Sequence, residues 1–569
     1  MIAAAPSPPL SYSPPPPDCH HLPGDPGWPG PGDWDQLNRT VGGRLIAGRS
    51  LASRCHGPGY DREACGRIQE AWTKPATYFD DPVHVMAPYW LNSSCSPFTA
   101  PNASCSLGNM ASYAVRVGSA HDVAAGFKFA RDHNIRVTVK NTGHDFIGRS
   151  AGRGSLALWT HHLKAIEFLD YSGPRYRGPA VRVGAGVQFF ELYRAAARRG
   201  LRVAGGYCPT VGIAGGYVQG AGHGPLGATY GLAADNTLEF EVVTTGGRRL
   251  AVSPSRHPDL FWALSGGGGG TYAVVVSATV KAHPDGRVAG ASLTIRNDND
   301  DAFWSAVGAW HRHLLVLDRI PGFTTAWGVT NTTFSIQPAT WSGADAASMA
   351  AVLGPFLQEL RALNVTPVAF ETSDNATFYD HYVHYTDQMP YGPYPTNDII
   401  GGRLIPRSAV RHNLAGLVAA LRAAANSSRL PSIRINGIAA NVTRARSGTV
   451  EGSNAVLPAW RDSLYWLNTD VVVDPASPPA ELRRIQTEVN RIQDTFRRLT
   501  PRSGAYANEA TFDNPNWKAD YYGRNYDRLL AVKRRYDPSL ALYAHTSVGS
   551  DGMTVAADGR LCKARHIFH

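Results

Sequence analysis

At 569 residues the chain is too long for one compact core, which points to two domains with tails. Its hydrophobic fraction of 43% is that of an ordinary globular protein, and no apolar run approaches the roughly 18–20 residues of a bilayer span. The net charge of +10 is carried by scattered residues, only 8 of the 55 basic ones being Lys, which argues against a nucleic-acid-binding stripe.

Residues 1–32 hold eleven prolines, with the run Pro14–Pro17, and read as a polyproline-like or disordered tail. Residues 33–110 form a cysteine-containing lead-in with a helical pattern over Asp61–Trp72. The texture then changes. Strand patterns fall at Tyr113–Val117, Ile135–Val139, Leu156–Trp159, Ala180–Gly184, Leu201–Ala204, Leu238–Thr244 and Tyr272–Val280. Helical spacing marks His121–His133, Val187–Arg199 and Asp259–Leu264. The mixture lacks a strict βαβ repeat, so residues 111–287 read as an α+β domain. Residues 288–499 have fewer glycines and longer elements: strands at Ala291–Arg296, Thr324–Val329, Thr332–Gln337, Ile433–Asn441 and Tyr465–Val473, helices at Ala346–Leu363, Ser408–Ala425 and Pro479–Leu499. They predict an antiparallel sheet backed by helices. Residues 500–569 return to loops and one helix, Tyr521–Arg535, stopped at Asp537-Pro538.

Seven cysteines and eight N-x-S/T sequons (Asn38, Asn92, Asn102, Asn331, Asn364, Asn375, Asn426, Asn441) suit a secreted, N-glycosylated protein, although Met1–Leu10 shows no signal-peptide pattern. Five cysteines within the first 105 residues are spaced for local disulfides, and Cys19 and Cys562 can join the two ends. Cys208 is the odd one by context, alone in a Gly-rich stretch.

Two segments carry the chemistry. After a strand, Lys140-Asn141-Thr142-Gly143-His144-Asp145 offers successive backbone N–H groups for an anion such as a diphosphate, or is a plain turn with a surface His. Cys208-Pro209-Thr210-Val211-Gly212 leads through Gly215, Gly216, Gly220, Gly222 and His223 to Gly231, a glycine density that suits close approach of a ligand to bare backbone. Taken alone, Cys208 is equally a small buried hydrophobe or a disulfide partner. A cluster of Tyr379, His381, Tyr382, His384 and Tyr385, beside Tyr391 and Tyr394, lines a substrate pocket or packs on the sheet. The His pairs 20/21, 161/162 and 311/313 show no metal-ligand framework, and no metal is expected.

These motifs, with Tyr230-Gly231-Leu232-Ala233-Ala234-Asp235-Asn236 and the tail element Tyr506-Ala507-Asn508-Glu509-Ala510, resemble the fungal berberine-bridge-enzyme-like group of the vanillyl-alcohol oxidase superfamily. The resemblance covers Ser112 to about Lys281 and Gly504 to about Ser550. It implies an FAD-binding domain of the PCMH type in two subdomains, a substrate domain, and a C-terminal segment returning to the FAD. It also implies a bicovalent flavin, with His144 on the 8α-methyl and Cys208 as a thioether at C6. Lys140, Asn141, Thr142, Gly143, Asp145, Pro209, Thr210, Val211, Gly212, Gly215, Gly216, Gly220, Gly222, Gly231, Val274 and Asn525 are then expected around the cofactor. Tyr506 or His223 is expected as the base, with Asn508 beside it; Glu509 stands where plant members carry a second Tyr. Val211 matches the position that governs oxygen access.

The expected activity is that of a monomeric secreted oxidase acting on an alcohol, aromatic or carbohydrate hydroxyl, with O2 as acceptor. A dehydrogenase using quinone, a tailoring enzyme of secondary metabolism and a non-catalytic glycan-binding flavoprotein stay open.

Overall fold

The computed structural model describes residues 18–91, 94–386 and 396–564; the run Pro14–Pro17, the Asn92 sequon, Tyr391 and Tyr394 lie outside them. Residues 18–32, expected within the tail, are tied to the far end of the chain. Cys19 is bonded to Cys562, and His20 N–H donates to Leu561 O (2.9 Å). Cys55–Cys65 and Cys95–Cys105 are the local disulfides, and Cys208 is a free thiol.

Three larger sheets and two two-stranded ribbons are present among the described residues. In the first, β2 (Tyr113–Arg116), β3 (Val137–Lys140) and β4 (Leu156–Trp159) are parallel, with β1 (Leu45–Ala47) antiparallel beside β2. The helix Ala120–Asp132 makes the β2-to-β3 crossover. Asp122 caps its start through the Ser119 N–H (3.1 Å), and Val123, Phe127 and Ala130, spaced on one helical face, share a core with Leu156 and Leu158. The second sheet is antiparallel in the order β5 (Ile166–Gly173), β6 (Tyr176–Gly184), β10 (Val274–Lys281), β8 (Thr237–Val243), β9 (Arg249–Val252). A short ribbon pairs β7 (Leu201–Arg202) with β11 (His283–Pro284).

The third sheet has seven antiparallel strands: β15 (Ala369–Asn375), β12 (Val288–Arg296), β14 (Thr333–Ser342), β13 (Phe323–Val329), β17 (Arg434–Ala440), β18 (Ser463–Val472) and β16 (Asp398–Pro406). Period-two alternation divides its faces. Tyr465, Leu467 and Val471 join the core beneath the helices Asp300–Leu317, Ala346–Ala362, Leu414–Ala425 and Pro479–Leu499. Trp466, Asn468 and Asp470 face a cavity on the other side. A final hairpin pairs β19 (Met553–Val555) with β20 (Leu561–Lys563).

The expected helix over 408–425 divides at Asn413, whose backbone leaves helical geometry (φ −147°), into Arg407–His412 and Leu414–Ala425. The tail helix begins at Tyr526, not Tyr521, because Gly523 takes a left-handed turn (φ +54°) before it. The cluster at 379–385 lies on the helix Phe378–Tyr385: His381 meets Thr340 Oγ1 (2.9 Å), and Tyr382 Oη donates to Tyr207 O (2.6 Å). None of those five residues lines the cavity.

Arg461 joins the first half of the chain to the third sheet by a buried fork on Asp235, with contacts of 2.9 and 2.7 Å. Gly231, in the left-handed region at φ +81°, makes room for that carboxylate: a Cβ there would lie 2.6 Å from Asp235 Oδ2. Replacing Arg461 with Met leaves the Asp235 charge buried without its guanidinium. We expect Arg461→Met to cost about 3–5 kcal/mol, read as a lowered midpoint in urea unfolding followed by tryptophan fluorescence; an unchanged midpoint would refute the role.

Candidate active site

The strand β3 ends at Lys140, and the loop that follows turns back at Gly143 (φ +95°), where a Cβ would approach His84 O to 3.3 Å. Met86 N–H donates to Gly143 O (2.8 Å), fixing the loop against the lead-in segment. The Cys208 loop is held equally from below. Gln188 Nε2 donates to Thr210 O (2.7 Å), Phe190 N–H to Pro209 O (3.0 Å) and Phe189 N–H to Val211 O (3.2 Å).

These anchors bring the loops together at one cleft. Thr210 Oγ1 lies 2.8 Å from His144 Nε2 and 3.5 Å from Cys208 Sγ. Burial, with the nearby Lys140 ammonium, holds the His144 imidazole down at about 3, so the ring is neutral at physiological pH. Burial pushes the Cys208 thiol up, against the pull of the Thr210 hydroxyl.

Of the expected cofactor residues, Asn141, Thr142, Gly143, His144, Asp145, Cys208, Val211, Gly212, Gly215, Gly216 and Val274 line this cleft. Lys140 does not. Its Nζ turns away and donates to Tyr78 O (2.9 Å) and Asp81 O (2.6 Å), and burial lowers its pKa to about 8. Thr210 touches both His144 and Cys208 without lining the cleft, and Pro209, Gly220, Gly222 and Gly231 do not line it either; Gly220, Gly222 and Gly231 serve close packing, a Cβ on Gly220 lying 2.3 Å from the Asn508 amide. Asn525 stands at the start of the tail helix and donates to Ala455 O (3.0 Å) and Val456 O (3.2 Å), away from the cleft.

The cleft suits a flat anionic cofactor. Gly269 packs so closely that a Cβ on it would lie 2.8 Å from Gly216 Cα. Arg149, which sequence reasoning missed, lines the cleft with buried Nε and Nη1 that have no partner among the described residues; Nη2 donates to Tyr522 Oη (3.2 Å). A half-buried guanidinium with two buried nitrogens and no carboxylate partner among the described residues is costly alone and fits a diphosphate. Gln219 Oε1 and Asn141 Oδ1 are likewise buried without hydrogen-bond partners among the described residues. The only sequence signal for Arg149 was a cation, with Arg153, in a loop rich in small residues.

A second cavity of about 560 Å³ opens from Cys208 and Val211 toward the third sheet. At the junction, His223 Nε2 lies 3.3 Å from Glu509 Oε2, and its ring stacks on Trp466 at 4.8 Å. Tyr506 packs edge-on to His223 at 5.2 Å and is buried; Asn508 Nδ2 donates to Tyr506 Oη (2.9 Å) and to Gly216 O (2.8 Å). Burial, reinforced by Glu509, drives the Tyr506 phenol far above its ordinary range, so it stays protonated at neutral pH. Among the described residues no group of His, Cys, Asp and Glu is arranged to hold a metal, and no helix is long and apolar enough to cross a membrane.

Comparison with known proteins agrees with this geometry. Residues 111–253 match the FAD binding domain family, and residues 505–549 match the berberine and berberine like family. The VAO-type flavoprotein oxidase VAO615 of Thermothelomyces thermophilus is 41% identical over 561 residues, 96% of each chain. The FAD-linked oxidoreductase ZEB1 of Gibberella zeae is 40% identical, over 98% of this chain and 97% of its own. The crystal structure of the VAO-type flavoprotein MtVAO615 from Myceliophthora thermophila C1 superposes with a TM-score of 0.91 at 40% identity, covering 96% of this chain and all of that one. The glucooligosaccharide oxidase of Acremonium strictum shares the fold, with a TM-score of 0.63 at 20% identity over 77% of this chain and 92% of its own. With His144 and Cys208 lining one cleft and relatives matching over 96% of the chain, the chain belongs to the VAO-type, berberine-bridge-like family of FAD-linked oxidoreductases.

Proposed function

We propose that the chain is an oxidase holding its FAD covalently through both His144 and Cys208, and that it oxidises a hydroxyl of a small molecule with O2 as final acceptor and H2O2 as product. The observation that carries this reading is the convergence of both side chains on Thr210 Oγ1, at 2.8 and 3.5 Å, in one cleft. A neutral imidazole keeps a nitrogen lone pair for an alkyl bond, and the unpaired thiol is available for the second. The glucooligosaccharide oxidase neighbour is itself described with a 6-S-cysteinyl, 8α-N1-histidyl FAD. Three disulfides and eight sequons support secretion with N-glycosylation.

When bound, FAD supplies the two-electron acceptor. In this reading His223 accepts the proton of the substrate hydroxyl at Nδ1, which is buried without a partner among the described residues, while Glu509 at Nε2 stabilises the resulting imidazolium. Tyr506, held protonated, orients the substrate oxygen by donating its hydroxyl hydrogen, and Asn508 steadies that phenol. Trp466 and Tyr506 enclose the imidazole and limit the entry of water. Val211 borders both cavities, where a small side chain leaves a path for oxygen.

Acid-precipitated protein should stay yellow. His144→Ala and Cys208→Ala should each remain yellow through the other bond, and the double variant should release its flavin to the supernatant; complete release from the unaltered protein would contradict the two-bond reading. On any alcohol that bleaches the enzyme anaerobically, His223→Gln should lower kcat by about 10²–10⁴-fold, and Tyr506→Phe by only about fivefold, the worth of one hydrogen bond. A reversed order would move the proton acceptor to Tyr506. The reduced protein should recover its colour rapidly in aerated buffer, and more slowly as Val211→Leu; sluggish recovery of the unaltered protein would favour a dehydrogenase.

A further inference from the structure

The second cavity is lined unevenly. At the Cys208 end it is aromatic, with Tyr207, Tyr217 and Trp466 around His223. Along the third sheet it becomes polar and ends at two carboxyls from neighbouring strands. Asp470 on β18 stands opposite Ile400 of β16, and Asp398 lies two residues before Ile400 on the same face. Both carboxyls line the cavity, and each keeps an Oδ1 that is buried without a hydrogen-bond partner among the described residues. Asp398 is only 7% exposed.

Such a pair is not a resting arrangement for a structural ion pair. Arg434, opposite Asp470 on β17, is exposed and makes no ion pair with either carboxyl among the described residues. Burial raises both carboxyls, and the neighbouring Asp470 pushes Asp398 further, to about 9, so the pair holds one proton at neutral pH. Glu509, the other charged group facing Asp470, adds to the repulsion. With one shared proton the pair carries a single negative charge, set against the Arg434 guanidinium at the mouth. The pair and Arg434 together are close to neutral, Glu509 being set at the His223 end of the cavity, and the pair is able to donate one hydrogen bond and accept several. That balance suits a hydroxyl and disfavours an ammonium, which needs the full charge of both carboxylates.

Position then sets length. Trp466, which stacks on His223, is four residues before Asp470 on the same strand, about 13 Å at the rise of an antiparallel strand. Resting on the oxidase reading above, we propose that Asp398 and Asp470 form a specificity subsite for a second hydroxyl of the substrate, so that the preferred substrate is an elongated, uncharged alcohol with a hydroxylated end about 10 Å from the carbinol that is oxidised.

Calorimetric titration of the FAD-loaded protein with 1,8-octanediol, 1-octanol and 8-amino-1-octanol tests this, because the three differ only in the terminal group. The readout needs no turnover, so a failure of the oxidase reading leaves it intact. The diol should bind about tenfold tighter than 1-octanol, and the amine no tighter than 1-octanol. The preference should vanish in the Asp398→Ala/Asp470→Ala double variant and persist in Asp398→Asn, whose amide reproduces the donor and acceptor of a protonated carboxyl. If the double variant does not fold, each single alanine variant should show a reduced preference. Equal binding of diol and 1-octanol, tightest binding of the amine, no binding of any probe, or a preference that survives both alanines would overturn the proposal.

Discussion

One hydroxyl, Thr210 Oγ1, lies between an imidazole and a thiol that belong to loops 64 residues apart, and the surrounding chain is built to keep them there. The His144 loop is clamped to the lead-in segment through Gly143 and Met86, and the Cys208 loop to the start of the helix Phe189–Ala197. Loops carry backbone polar groups that must find partners, and here those partners are fixed elements on either side of the cleft. Lys140, deep beneath the first loop, contributes by charge: it helps keep His144 neutral while its own ammonium is held by two carbonyls. Rigid presentation of two nucleophilic atoms to one flat ligand is the condition on which the cofactor reading depends.

The two cavities meet at Cys208, Val211 and Glu509, so in the proposed reading the proton chemistry and the electron acceptor share a wall. The tail closes that wall. Residues 505–549 return from the helix Pro479–Leu499 to lay Tyr506, Asn508 and Glu509 against Gly216, Gly220 and His223. Buried charges elsewhere hold this return in place. Lys533 in the tail helix is fully enclosed, with Asp537 at 2.6 Å and the carbonyls of Thr271 (2.7 Å) and Leu542 (2.6 Å) satisfying it. Burying an ammonium so completely is tolerable only with such a full set of partners.

Much of the fold was legible because periodicity is a strong signal where one face is buried. The helix Pro479–Leu499 and the strand Leu156–Trp159 fall on their expected bounds. The helix Asp300–Leu317 escaped because it is apolar nearly all round, with Trp310, His311 and His313 buried as well as its inner face. The strand Asp398–Pro406 escaped for the same reason: buried almost throughout, it has no alternation to read. At the site, His144 and Cys208 were marked by the small residues around them. Arg149 and the Asp398–Asp470 pair were not, because their significance comes from missing partners, which only tertiary structure reveals. Lys140, adjacent to the motif in sequence, was drawn in by proximity, yet side-chain direction sends it to the opposite side of the strand.

The most direct measurement is the mass of the cross-linked peptides after denaturation and proteolysis. The account predicts a single species in which the segment containing His144 and the segment containing Cys208 are joined through one FAD. Recovery of both segments at their unmodified masses, from protein that was yellow before denaturation, would contradict it.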